Sequence, residues 1–430
     1  MKNLLQKDEK KDEPQQAIPC DHKTASRCLL NLMPVVSETV SGTLLNGTFL
    51  PDICLEVVHE RAFSKLPFAK VALTVVLFAD ISGFTALTET YSMTGALGIE
   101  ALTRTLNHFF GHIIQHIFTA GGDIFKFAGD ALFCIWKVDD ESTLAETIQT
   151  VVDCSLNIQK NYGEWPTCIG VTLRVKIGIA TGLLEYHFFN DEYDSVHYSA
   201  SGTVVEYVRN AEMLCTAGDI ILTTEAWSYL EKKGVNTRYT YTALPEDMVK
   251  VLQLRLDDAM RMRDRTRPHM IHLHARYLCK NSPEVLCFDP GVTEEEKVSF
   301  TSAFAGVRPA LYALNFEDTP LLRRFISPVV VNIKTQEELI FLSEMRHVTI
   351  VFICMPDFID IDLPTLSALY RIVSAALKEF DGVLNKVITF DKGCSFLAVF
   401  GLPGYKGKNE TCNALMCCNK LVHEVAAMTM

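Results

Sequence analysis

The sequence predicts a mixed α/β (α+β) fold of two related units, the second incomplete, joined by a partly helical connector. Three observations carry that expectation. First, the apolar run Val75-Val76-Leu77-Phe78-Ala79 stops at Asp80, passes through Ile81-Ser82-Gly83 and enters helix-like sequence near Thr88. This is the pattern of a buried strand that delivers a carboxylate to its C-terminal edge. Second, Ala128-Gly129-Asp130 separates two short apolar runs around Phe125 and Phe133, which reads as a tight hairpin with Asp130 at its tip. Third, both patterns recur in weaker form. His347 to Met355 parallels 71–80, with Met355 at the place of Asp80, and Gly382 to Phe400 repeats 122–136, with Lys386 matching Lys126. Two copies are present, not a repeat array.

Length and composition bound the rest. The 430 residues, 48% apolar, suffice for two or more cores. A net charge of −12 argues against nucleic acid as a partner. Fourteen cysteines without a regular framework, and a polar start (Met1 to Lys10), fit reduced thiols in the cytoplasm. No stretch approaches the ~20 apolar residues of a membrane span.

Taken in order, residues 1–60 read as a polar tail, disordered over about the first twenty, followed by a packing segment that includes Leu29 to Val36. Residues 61–240 form the first unit. Ile99, Leu102, Leu106, Phe109 and Phe110 share one helical face. His108, His112 and His116 recur at helical spacing and read as a solvated flank, because no carboxylate or cysteine accompanies them. A second buried-strand pattern, Val171 to Gly182, carries Lys176 among apolar neighbours. Its ammonium must find either solvent, by snorkelling, or an anion. Ser199 to Ala211 reads as a loop entering a helix, with Arg209 open to a carboxylate pair or to a small anion. Residues 241–340 read as the connector, broken at Pro290-Gly291 and Pro309. Its basic run, Arg261 to Arg267, reads as a solvated face. Residues 341–430 form the partial second unit.

Each acid alone has an ordinary reading, Asp80 as a helix cap and Asp130 as a turn residue. Together they interrupt otherwise apolar context, and a strand-end acid and a hairpin-tip acid can converge on one side of a sheet. Hard divalent cations bind through one or two carboxylates plus substrate phosphates, and a pair of them assists phosphoryl chemistry. The turn at 81–85 leads from strand to helix, so its N–H groups can face an anion. An ATP-using phosphotransferase fits less well, because no Gly-x-x-x-x-Gly-Lys loop accompanies the acids.

Phe78-Ala79-Asp80-Ile81-Ser82-Gly83-Phe84-Thr85, with Phe125-Lys126-Phe127-Ala128-Gly129-Asp130-Ala131, closely resembles the class III nucleotidyl cyclases. Within them the sequence is most similar to the soluble, bicarbonate-responsive adenylyl cyclases, over roughly residues 60–425. The resemblance implies two ferredoxin-like cyclase domains, each an antiparallel-rich sheet with helices on one face. It implies Asp80, Asp130 and Ile81 as ligands of two Mg²⁺, with Mn²⁺ as a substitute. Ile81, Ser82, Gly83, Phe84, Thr85 and Lys176 would hold the triphosphate of ATP, and Lys386 the adenine. Lys126 and Arg209 would hold bicarbonate, although Ala200 and Thr389 stand where the family carries bulkier residues. The implied activity converts ATP to cyclic AMP and pyrophosphate. In the family, an asparagine and an arginine on a later helix orient the ribose and stabilise the transition state, and no such helix follows Phe400. The alternative is therefore a non-catalytic, nucleotide- or anion-binding homologue that pairs with another cyclase chain.

Overall fold

Strand β1, Phe68–Ser82, is the spine of a mixed α+β structure. In the computed structural model the described residues are 46–244, 247–254, 308–331, 346–355, 361–388 and 394–428. The polar tail, the Leu29–Val36 segment, the basic run at 261–267, Pro290-Gly291 and Thr389 lie outside them.

Along one edge β1 pairs antiparallel with β3, Ala131–Val138, and along the other with β5, Thr172–Asn190. Adding β2 (Asp123–Ala128), β4 (Glu164–Pro166), β6 (Val196–Ser201), β7 (Ile220–Thr223), β8 (Tyr239–Leu244) and β9 (Met248–Leu254) gives a nine-stranded sheet. Its main path is β2-β3-β1-β5-β7-β9-β8, with β4 and β6 also on β5. The first unit therefore runs past the boundary expected at 240. Tyr239 is fully buried and β9 pairs with β7, so the β8–β9 hairpin is part of this sheet.

Alternation along β1 explains its unbroken apolar run, because successive side chains point to opposite faces and both faces are covered. Val75, Leu77, Ala79 and Ile81 pack against α3 (Ala96–Thr119) and α4 (Leu144–Tyr162), in a core shared with α6 (Thr224–Lys232). Val76 faces the other way, into a core with α1 (Asp52–His59), α5 (Thr203–Met213) and the helical turns of 308–331. Helices thus cover both faces of this sheet, not one. The additional layer comes from segments flanking the unit, α1 before it and 308–331 after it. Arg308 ties them together, donating to Leu50 O at 2.7 Å and Asp52 Oδ1 at 2.6 Å.

A second, three-stranded sheet has the order β10 (Thr349–Met355), β12 (Cys394–Phe400), β11 (Gly382–Ile388). Helices α7, Leu363–Glu379, and α8, Glu410–Met428, cover one face. The Asp362 side chain caps α7 by accepting from Thr365 N, and Pro364 sits in its first turn. Leu366, Leu369, Tyr370, Val373 and Leu377 form its buried stripe.

The small sheet repeats the register of β1–β3 in detail. Lys126 stands opposite Phe133 after a bulge at Phe125, and Lys386 stands opposite Leu397 after a bulge at Asn385. A Cβ on Gly122 would strike Trp136, and one on Gly382 would strike Phe400, the matching aromatic. This register also corrects one alignment. Phe78 faces Phe133 and Phe352 faces Leu397, so Cys354, not Met355, matches Asp80. Sequence spacing alone slips by one residue, which in a strand reverses the face.

Candidate functional site

Asp80 lies two residues before the end of β1 and stands directly across from Lys176 on β5. Cross-strand partners point to the same face, and Lys176 Nζ lies 3.1 Å from Asp80 Oδ2. The same ammonium lies 2.6 Å from Glu212 Oε1, on α5. Glycine at 178 allows that approach. A Cβ there would lie 2.6 Å from Val208 O and 2.7 Å from Glu212 N, so any side chain would push α5 off the sheet. Burial pulls the Lys176 ammonium down, but the hydrogen bonds it donates to Glu212 and Asp80 outweigh burial and leave its pKa above the usual lysine value. Glu212 has no sequence signal of its own. Its position in the site follows from helix–strand packing at Gly178.

Gly129 and Asp130 are the two-residue turn between β2 and β3, with Ala128 paired to Ala131. Gly129 has φ of +72°, which glycine adopts without strain. Burial raises the pKa of the Asp130 carboxyl, and repulsion from Asp80 adds to the rise while Lys176 opposes it. The two acids and the lysine therefore share one electrostatic neighbourhood.

From this neighbourhood the chain turns into α2, Phe84–Ser92. Gly83 has φ of +95°, and a Cβ on it would lie 2.7 Å from Thr172 O. No side chain caps α2, and its first intrahelical bond is Leu87 N to Gly83 O at 3.0 Å. The N–H groups of Phe84, Thr85 and Ala86 are thus the open donors of a helix start. Ile81 keeps its side chain in the core, and Ser82 is half-buried at the strand end.

The donor set suits a hard divalent cation. Asp80 is already balanced by a lysine, and Asp130 carries repulsion from Asp80 that a cation would relieve. Among the described residues no group of three or more His, Cys, Asp or Glu side chains gathers at one point. Protein carboxylates alone would leave a coordination sphere to be completed by a backbone carbonyl, water and phosphate oxygens.

Lys126 and Lys386 meet where β2 passes β11. Lys126 Nζ donates to Tyr198 O and to Val387 O, both at 3.0 Å, and lies 5.1 Å from the centre of the Tyr198 ring. Lys386 Nζ donates to Phe127 O at 2.8 Å. Burial lowers the pKa of Lys126 to about 7, with repulsion from Lys386 contributing. Beside Lys126, the imidazole of His197 is held neutral by burial and by that cation, and its Nε2 is buried without a hydrogen-bond partner. Arg209 is half-buried on α5 and engaged in an interaction of its own. Ala200 is buried in the core layer of α5.

His108, His112 and His116 are not a freely solvated flank. They pack with Tyr162 and Trp165, His112 stacking on Tyr162 at 5.1 Å, and burial lowers the pKa of His112 and His116. Among the described residues, no helix is long and apolar enough to cross a membrane.

Residues 67–253 match the family model described as the adenylate and guanylate cyclase catalytic domain. The chain is 32% identical to adenylate cyclase type 10 of Homo sapiens over 378 residues, covering 86% of this chain and 22% of that protein. It is 30% identical to adenylate cyclase type 10 of Mus musculus over 385 residues, covering 85% of this chain and 21% of that protein. The chain thus spans about a fifth of the length of these relatives. Among solved structures, the adenylyl cyclase CyaB from P. aeruginosa shows 22% identity and a TM-score of 0.36, covering 44% of this chain and 98% of that one.

Proposed function

Because residues 67–253 belong to the adenylate and guanylate cyclase catalytic domain family, we propose that this chain is an adenylyl cyclase that forms cyclic AMP and pyrophosphate from ATP. The observation that most supports this reading is the Asp80–Lys176 ion pair beside the open start of α2, with the Asp130 carboxyl close enough to feel both charges. Residues 61–254 are the first cyclase domain and 346–428 contain part of a second, a reading supported by the shared bulges and glycine–aromatic contacts.

In this reading Asp80 and Asp130, with the carbonyl of Ile81, hold the divalent cations. Two Mg²⁺ ions, or Mn²⁺, supply Lewis-acid polarisation of the phosphoryl oxygens and acidify the ribose 3′-hydroxyl when bound. Ser82, Gly83, Phe84 and Thr85 present strand-end and helix-start N–H groups to the triphosphate. Lys176 has three N–H donors, of which Asp80 and Glu212 engage two, leaving one for a phosphate oxygen. The 3′-oxygen forms its bond to the α-phosphorus as the bond to the bridging oxygen of pyrophosphate breaks, and the hydroxyl proton passes to water. Lys386 reads adenine, since an ammonium can donate to adenine N1 but meets another donor at guanine N1. The test is purified chain with Mg²⁺ and ATP, with cyclic AMP read by chromatography. ATP binding without cyclic AMP overturns the assignment.

Lys126, with the unpartnered Nε2 of His197 close enough to feel its charge, suits a small anion such as bicarbonate, and Arg209 is the second cation assigned to it in this reading. Lys126 titrates near 7, and only its protonated form attracts the anion, so affinity should fall as pH rises from 6.5 to 8.5. Calorimetry at fixed bicarbonate concentration would check this, and an unchanged affinity, or one that survives in Lys126→Met, would exclude Lys126 as the anion ligand.

A second reading, a non-catalytic homologue that pairs with another cyclase chain, is favoured by one observation. Ile350 and Phe352 on the edge strand β10 are each 60% exposed, whereas their register mates Val76 and Phe78 are covered in the larger sheet. An apolar edge of this kind invites pairing. Light scattering should then show a concentration-dependent dimer that Phe352→Ser converts to monomer.

A further inference from the structure

The crossing of β2 and β11 is reciprocal. Lys126 donates to Val387 O, and Lys386, its register mate, donates to Phe127 O. Each lysine reaches the carbonyl of the residue that follows the other, the contact pattern of a two-fold interface. Lys386 is also the residue assigned above to adenine, and here its ammonium is engaged by backbone three residues before Asp130. A cation held by a carbonyl must give up that bond before it can serve a base at full strength.

We infer that Lys126 and Lys386 form a reciprocal latch, in which the Lys126–Val387 contact steadies the crossing that keeps Lys386 on Phe127 O and away from adenine. Anything that draws Lys126 off Val387 loosens β11 against β2 and frees Lys386 for the nucleotide. The inference rests on the cyclase reading and adds to it a route by which the Lys126 site governs nucleotide binding.

The sign of one substitution decides between a latch and a strut. Lys126→Met should tighten ATP binding, measured by calorimetry with Ca²⁺ in place of Mg²⁺, by about threefold to tenfold, the worth of part of one charge-assisted hydrogen bond. Inorganic triphosphate affinity should stay unchanged, because it lacks the base. In a Lys386→Met background the same substitution should have no effect on ATP, and Lys126→Arg, which keeps a donor for Val387 O, should restore wild-type affinity. Weaker ATP binding in Lys126→Met, or equal tightening with Lys386 absent, overturns the latch. Wild-type protein that binds no ATP removes the cyclase reading and the latch together, whereas binding that Lys126→Met leaves unaltered removes the latch alone.

Discussion

Alanine at Asp80 or at Asp130 is expected to lower cyclic AMP formation by about a thousandfold or more, the usual cost of losing a group that positions the charge-stabilising centre of a transition state. The two variants should fail for the same reason and so should not add. Side chains that act as a unit lose nearly everything with the first removal. Their effects on stability should differ from their effects on rate. In Asp80→Ala, Lys176 keeps its 2.6 Å contact with Glu212, so no cation is left unpaired in the site. In Asp130→Ala, a carboxyl whose pKa burial and Asp80 both raise is removed from a two-residue turn, which relieves repulsion. Melting temperatures should therefore stay near wild type while turnover disappears. Chromatographic assay of both variants, at Mg²⁺ and Mn²⁺ concentrations that saturate the wild type, checks the claim. Residual activity above a tenth of wild type in either variant would remove that acid from the proposed centre.

Why these two acids were legible, and their surroundings were not, has a physical explanation. A buried strand announces itself by an apolar run, and a tight turn by a glycine, so Asp80 and Asp130 could be placed from local pattern. Glu212 could not. It reaches Lys176 only because position 178 lacks a Cβ, and nothing local to 212 records that approach. The alignment of Met355 with Asp80 failed because counting along a strand assumes its register, and only the pairing of β10 with β12 moves Cys354 into that place. The boundary at 240 fell short because β9 alternates Val249, Lys250 and Val251, too brief a pattern to separate from connector. The helical layer on the second face was hidden for a related reason. Its anchor is a single arginine in a stretch without strong periodicity.

That arginine carries the largest stability effect expected outside the core. Arg308 is 7% exposed and makes its closest contact with Asp52, which in turn donates its backbone N–H to Asp123 Oδ2 at 2.7 Å. Asp123 Oδ1 lies 3.6 Å from Arg308 Nη2, too far for a hydrogen bond, and is buried without one. Removing one member of a buried charge cluster leaves the others uncompensated, so Arg308→Met should cost about 3–5 kcal/mol. The loss should depend on pH. Burial, and then Asp52, push the Asp123 carboxyl up to about 7 against the pull of Arg308. A carboxyl whose folded pKa is raised stabilises the fold while protonated, and that contribution disappears as pH rises from about 4 through about 7. Without Arg308 the pKa rises further, and the ionised form has no cation to meet. The deficit of Arg308→Met relative to wild type should thus be smaller at pH 5.5 than at pH 8, and Asp123→Asn in the same chain should recover part of it at pH 8. Urea unfolding at the two pH values gives the answer. A deficit that is the same at both, or larger at pH 5.5, would mean that Asp123 is not the group Arg308 offsets, and that the arginine serves the α1 layer through Leu50 and Asp52 alone.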